Sequence, residues 1–340
     1  MPTPQITIIG SLNTDLITRT SRLPSPGETL LSESFATGSG GKGANQAVAC
    51  ARLSRVQNAP THSDLNIRMI GAIGSDTFGQ DLVSDLQSNG IDVSGVVKKE
   101  GERSGVAVII VDEATGENRI LMSPNANFSL RLRDFEGLTG AEVPHFLVLQ
   151  LEIPVEVTLQ ILKVAREKGV EVLMNPAPAR VLPREGWEGV EHLIVNEGEA
   201  AVVVGGVGKG VSWLQGGEHV DRIVGLGVRH VTVTLGSEGV VYIDTRMRKR
   251  WVFRAVDVEV VDTTAAGDTF VGAYAVAVVR QRGRKGNVAA AVKWANLAAA
   301  KTVERKGAQD AIPWLDETEA FDADRQEEDG ASIDEGKLSS

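Results

Sequence analysis

The chain has 340 residues, 42% of them hydrophobic and 24% charged, with a mean hydropathy of −0.05, which is ordinary globular composition with ample material for a core. A net charge of −10 and a pI near 5.2 argue against a broad nucleic-acid surface, which needs clustered Lys and Arg, but leave room for a small basic pocket. One cysteine, Cys50, excludes an internal disulfide and, set among small apolar neighbours, reads as core.

In chain order, ITIIG (6–10) is a near-continuous apolar run of the kind buried on both faces of a parallel sheet. Residues 12–38 break that rhythm: they alternate polar and apolar positions between Gly and Pro turns, which predicts half-exposed antiparallel strands. Next comes GSGGKGANQA (38–47), four glycines around Lys42, with the helical run NQAVACARL behind it. Glycine loops of this kind let backbone N–H groups approach an anion closely. It is not a P-loop, because that pattern needs glycine at Ala36 and a hydroxyl at Gly43. RVQNAPTHSDL (55–65) is polar and predicts a surface insertion.

IRMIGAIG (67–74) is the next strand, and GQDLVSDLQSNG (79–90) a helix closed by glycine. Residues 103–123 repeat the half-exposed alternation. Strands at FLVLQL (146–151), VEVLMN (170–175), HLIVN (192–196) and HVTVTLG (230–236) follow. Between the first two lies PVEVTLQILKVAREKG (154–169), a helix that opens on proline and ends Lys-Gly. A second glycine-rich stretch, GGVGKG (205–210), also fails the P-loop pattern at Gly210 and reads as an inter-helix loop. The alternation predicts an α/β fold: a doubly wound, mainly parallel sheet flanked by helices, with a small antiparallel β lid from 12–38 and 103–123. Residues 1–325 are expected to form one domain and 326–340 an acidic, disordered tail. No apolar run reaches the roughly 18 residues of a membrane span. MPTPQITIIGS lacks the charged region and cleavage site of a signal peptide, so a cytoplasmic location is expected, with the nucleus as the other option.

The segment with most chemical content is VDTTAAGDTFVGAY (261–274). Small residues at a helix start leave N–H groups free beside the positive end of the dipole, which is an anion site. An aspartate beside it, Asp268, suits a reaction in which a hydroxyl loses its proton while a phosphoryl group is transferred. On this segment alone, Asp268 reads equally as an ordinary carboxylate in the first turn of a helix.

DTTAAGDTF and GGKGANQA together resemble the signature segments of the ribokinase-like carbohydrate kinases. GSLNTD (10–15), PSPGET (24–29), QLEIP (150–154), NPAPAR (175–180), VNEGEA (195–200), VTLGSEGV (233–240) and ERKGAQ (304–309) occur in that family's order over nearly the whole chain. The resemblance implies transfer of the γ-phosphoryl group of ATP to the 5-hydroxyl of ribose. Asp268 would be the base, and the backbone N–H groups of Ala265, Ala266 and Gly267 the anion hole. Gly41, Lys42, Gly43 and Asn45, with Asn13, Asp15 and Glu152, would line the sugar pocket. A ring of hydroxyls fits that mixture of carboxylates, amides and exposed backbone.

The same resemblance implies that Asn196 and Glu199 organise Mg²⁺ and phosphate through water. Thr234, Gly236, Ser237, Glu238 and Gly239 would meet the nucleotide, together with Gly267, and Asn296 would flank its adenine, although read alone it is a helix-surface amide. A monovalent cation, K⁺, would be held by Asp262, Thr264, Thr302, Arg305, Gly307 and Ala311, largely through carbonyl groups. Ala311 stands where the family commonly carries a hydroxyl. A homodimer paired through the lid is implied, as are small-molecule partners rather than nucleic acid or membrane. The alternative is a sibling kinase for fructose, a sugar acid or adenosine; a non-catalytic sugar or nucleotide sensor is more distant.

Overall fold

Near-continuous apolar runs become strands covered on both faces, and the alternating runs become a separate, half-exposed sheet. The computed structural model describes residues 3–59, 63–115, 118–135, 143–206, 213–214, 217–282 and 287–318. The first half contains β1 (Gln5–Ile9), β2 (Asn13–Thr20), β3 (Ser34–Gly40), α1 (Lys42–Leu53), β4 (Asn66–Gly74), α2 (Thr77–Ser88), β5 (Asp92–Lys99), β6 (Gly105–Asp112) and β7 (Asn118–Ser123). The middle adds β8 (Phe146–Leu149), α3 (Val155–Glu167), β9 (Glu171–Met174), β10 (Val190–Asn196), α4 (Glu197–Val203) and α5 (Glu218–Val224). The last part is β11 (His230–Thr234), β12 (Val240–Asp244), β13 (Lys249–Phe253), α6 (Ala266–Arg280) and α7 (Val288–Val303).

The large sheet has nine strands in the order β13-β12-β11-β10-β9-β8-β1-β4-β5. Pairing is parallel from β5 through β11 and antiparallel for β12 and β13. Successive side chains of a strand point to opposite faces, and β8 shows the result. Phe146 and Val148 join a core layer with α1, α2, α6 and α7, while Leu147 and Leu149 join one with α3, α4 and α5. The edge strands β5 and β13 were not among the apolar runs, because an edge strand is only partly covered and its residues stay half exposed.

The second sheet has four strands in the order β3-β2-β6-β7. Its outer pairs, β2–β3 and β6–β7, are antiparallel, and the central pair β2–β6 is parallel. Every residue of β7 is exposed, and Leu31, Phe35 and Leu121 are 90%, 64% and 67% exposed. The boundary expected at 325, the tail 326–340 and most of the second glycine-rich stretch lie outside the described residues. Among the described residues, no helix is long and apolar enough to cross a membrane.

One close contact sets the spacing on the side of the sheet that carries the site. A Cβ on Gly272 of α6 would lie 2.4 Å from the Cβ of Ala49 and 2.8 Å from the backbone N of Cys50, so α6 can press against α1 only because position 272 has no side chain. Cys50 is buried there, its thiol pushed up to about 12 by burial, which makes it a packing residue. Gly272→Val is therefore expected to cost about 1–3 kcal/mol by overpacking, read as a lower midpoint in urea unfolding. An unchanged midpoint would show that the two helices have room to spare.

Candidate active site

Most residues singled out from the sequence lie near the carboxyl ends of the parallel strands or at the starts of α1 and α6, where open α/β sheets bind ligands, while Asn296, Thr302, Arg305, Gly307 and Ala311 lie in or after α7. At the start of α6 the chain turns sharply: Ala265, the residue before the helix, is left-handed at φ 60°. That conformation is unfavourable for an L-residue. Thr269 N–H donates to Ala265 O at 2.8 Å, which opens the helical ladder. Of the amides expected to form the anion hole, that of Ala266 already donates to Thr263 O, at 3.3 Å. Gly267 borders open space, since a Cβ there would meet nothing within 4 Å.

Asp268 follows in the first turn of α6 and is 7% exposed. Both carboxylate oxygens accept hydrogen bonds from consecutive residues of α1: Asn45 Nδ2 donates to Oδ2 at 3.0 Å, and Gln46 Nε2 to Oδ1 at 2.9 Å. Asn45 was expected to face sugar, yet both ends of its amide are engaged within the protein, its Oδ1 accepting from Gln309 Nε2 at 3.1 Å.

The glycine loop is shaped by what it must pass. Gly41 has φ 88°, and a Cβ on it would lie 2.7 Å from the backbone N of Asn13. α1 starts without a side-chain cap of its own; Lys42 N–H instead donates to Glu152 Oε2 at 3.0 Å, and Ser11 Oγ donates to the same oxygen at 2.5 Å. Gly43 packs on the Gly10–Ser11 backbone and does not border the cavities described below. Asn13 Oδ1 accepts from Asn127 Nδ2 at 2.9 Å.

Charge is concentrated here. Lys42 interacts with Asp268, Glu152 and Glu199; burial disfavours its ammonium, but those carboxylates outweigh burial and raise its pKa. Burial, reinforced by Glu152 and Asp268, pushes Asp15 up to about 7. Burial also raises Glu152 and Glu199, against the pull of Lys42. Buried and half-buried carboxylates around one half-buried lysine cannot all hold full charge at low cost.

Two cavities meet at α6. One of about 210 Å³ is lined by Lys42, Asn175, Asn196, Glu199, Thr234, Ala265, Gly267 and Asp268, among others. The other, about 630 Å³, shares Thr234 and Gly267 and adds Gly236, Ser237, Gly239, Ala266 and Asn296 on apolar walls that include Val256, Val260 and Phe270. Glu238 is exposed and borders neither. Asn296 donates to Arg254 O at 2.8 Å, which fixes its amide on the cavity wall. Asn196 caps α4 by accepting from Glu199 N–H at 2.8 Å, and Glu199 Oε2 accepts from Asn196 N–H at 2.9 Å.

Among the described residues no three His, Cys, Asp or Glu side chains form a metal-binding group. Glu199, a half-buried carboxylate that shares the smaller cavity with Asp268, fits a Mg²⁺ ion that keeps most of its waters. Three of the six residues expected at a monovalent cation are bonded to one another: Asp262 accepts from Thr264 N–H at 2.9 Å, Thr264 Oγ1 at 2.6 Å and Gly307 N–H at 3.0 Å. Burial works to raise Asp262, but these hydrogen bonds prevail and lower its pKa. Thr302 Oγ1 is bonded to Thr269 Oγ1 and Ala298 O, and Arg305 pairs with Glu317. Ala311 is buried with no side-chain oxygen. Apart from Asp262, such a site would rest on backbone carbonyls.

Sequence reasoning missed the amides that organise this site: Gln46, Asn127, Gln150, Asn175 and Gln309. Gln46, Gln150, Asn175 and Gln309 stood inside quoted motifs and Asn127 in none, and nothing local marks the partner of such an amide.

The chain is similar to known proteins over most of its length. The ribokinase of Schizosaccharomyces pombe is 40% identical over 314 residues, covering 91% of this chain and 95% of that protein. The solved ribokinase of Giardia lamblia superposes with a TM-score of 0.81 at 28% identity, covering 93% of this chain and 97% of its own. Arabidopsis thaliana ribokinase, solved with ribose and ATP, superposes with a TM-score of 0.79 at 29% identity, covering 93% and 97%. The model of the pfkB family of carbohydrate kinases matches residues 3–315, and the chain belongs to that family.

Proposed function

We propose that this kinase transfers the γ-phosphoryl group of ATP to the 5-hydroxyl of ribose. The observation that carries this reading is the position of Asp268: a buried carboxylate in the first turn of α6, bordering the cavity lined by Gly267, Lys42 and Glu199. Asp268 takes the proton from the sugar hydroxyl as the hydroxyl oxygen attacks the γ-phosphorus in line and the bond from that phosphorus to the bridging oxygen of ADP breaks, so that ADP leaves. The first turn of α6, with the Gly267 amide foremost, and the Lys42 ammonium stabilise the equatorial oxygens. The sugar lies toward Asp15, Asn13 and Glu152, beneath the lid. The nucleotide base lies between the Asn296 wall and the valines of the larger cavity.

Mg²⁺, held through water by Glu199 beside Asn196, would neutralise the polyphosphate, and K⁺ held by Asp262 and the 302–311 carbonyls would add a fixed positive field near the start of α6. The reading places the protein in the cytoplasm. The rival is a sibling specificity within the same family. The test is ADP release over a panel of ribose, 2-deoxyribose, fructose and adenosine with Asp268→Asn alongside. Ribose is expected to be preferred and the variant to turn over about 10²–10⁴-fold more slowly. Preference for adenosine or fructose would overturn the substrate, and near-normal turnover of the variant would remove Asp268 as base.

Asp15 makes sugar binding depend on pH. The ligand-free protein favours its neutral form up to about 7, whereas sugar hydroxyls donating to it favour the carboxylate. Binding therefore expels a proton below about pH 7 and weakens as pH falls. Calorimetric titration with ribose in buffers of different ionisation enthalpy should show that release, and Asp15→Asn should abolish it. An affinity independent of pH from about 5 to 8 would contradict the assignment.

The exposed apolar residues of the lid, Phe35, Ile120 and Leu121 among them, favour a homodimer in which two lids cover each other. Leu121→Glu is expected to convert a dimer to a monomer in sedimentation velocity. A parent protein that sediments as a monomer at micromolar concentration would refute the pairing.

A further inference from the structure

Gln46 is completely buried and lines neither cavity at α6, yet every polar atom of its side-chain amide is bonded. Its two N–H groups go to Asn175 Oδ1 at 3.0 Å and Asp268 Oδ1 at 2.9 Å, and its Oε1 accepts from Gln150 Nε2 at 2.6 Å. Asn175 is anchored in turn, donating through Nδ2 to Ile194 O at 2.9 Å. The amide is thus held by residues just past the ends of β8 and β9 and presents one N–H to the carboxylate. A second arm reaches the other oxygen: Gln309 Nε2 donates to Asn45 Oδ1 at 3.1 Å, and Asn45 Nδ2 to Asp268 Oδ2 at 3.0 Å.

Such a cradle has a physical reason to exist. Asp268 sits in the field of Lys42 on α1, and of the carboxylates Asp15 on β2, Glu152 after β8 and Glu199 on α4. Those charges pull and push the carboxylate in different directions, and they change when an anionic nucleotide arrives. A base must keep its lone pair within hydrogen-bond reach of the hydroxyl throughout. One neutral donor to each oxygen, from side chains that are themselves held, fixes the plane of the carboxylate without adding charge.

We propose that Gln46 is a positioning residue for the Asp268 base, held by Gln150 and Asn175, and that Gln309 acts on the same carboxylate through Asn45. The inference rests on the reading of Asp268 as base. Gln46→Met keeps length and removes the donors; Gln309→Met does the same on the second arm. Each is expected to fold, by thermal unfolding, and to bind ribose within about threefold of the parent by calorimetry. Each is expected to lose about 10- to 100-fold in kcat, the scale of a misaligned reacting group.

The deciding measurement is a double-mutant cycle. In an Asp268→Asn background, Gln46→Met should lower the residual rate by less than about twofold, because the carboxylate it served is gone. A parental kcat in folded Gln46→Met, or an equal loss in both backgrounds, overturns the proposal. If Gln46→Met does not fold, Gln309→Met through the same cycle decides. Should Asp268→Asn alone turn over normally, the base assignment fails and this inference falls with it. A slow Asp268→Asn beside an unimpaired Gln46→Met sinks only the inference.

Discussion

The site exists because α1 and α6 touch. A carboxylate buried at the start of one helix needs hydrogen-bond donors, and the nearest are the consecutive amides of Asn45 and Gln46 on the other. That meeting requires the helices to lie closer than most side chains permit, and Gly272 against Ala49 and Cys50 supplies the clearance. The alanines of α1 serve the same end, being small enough to be wholly buried between the sheet and α6. Packing density in a core leaves little slack, so the apolar contact near the middle of the pair sets the polar geometry at one end.

The electrostatics of the site suit a ligand that brings hydroxyl donors and an anion. Burial drives Asp15, Glu152 and Glu199 upward, and Lys42 is held cationic by carboxylates around it. A polyol can donate to such carboxylates, which lowers the cost of their charge. An anionic group, by contrast, has to be met by the helix start and the lysine, since little else nearby is positive. In the proposed reading sugar and phosphate fall on opposite sides of Asp268 for reasons of charge as well as shape.

Placement follows from the winding of the sheet. Strand after strand delivers its last residues to one edge, so Ser11, Glu152, Asn175, Asn196 and Thr234 gather although they are far apart in the chain. The lid grows from the end of β1, which sets Asn13 and Asp15 at its base. Its parallel central pairing joins two hairpins distant in sequence and leaves β3 and β7 as edges.

Much of this was readable from residue order. Short apolar runs such as 67–74 and 230–236, rich in β-branched residues, read as covered strands. A small-residue helix start beside an aspartate marks a candidate anion site even though the aspartate alone reads equally as an ordinary helix-start carboxylate. The glycines at 41 and 267 mark where backbone must approach something, whatever that something is. What sequence could not supply was partnership. Gln46, Asn175 and Gln309 carry no local mark of a role, because the hydrogen bonds that define them join residues more than a hundred positions apart. The bonds of Asn45 to Asp268 and Gln309, and the position of Glu238 apart from both cavities, were hidden for the same reason. Periodicity and residue size dictate which segments become strands and helices. Which polar side chains then face one another depends on how closely those elements pack, and that is settled only when the whole core closes.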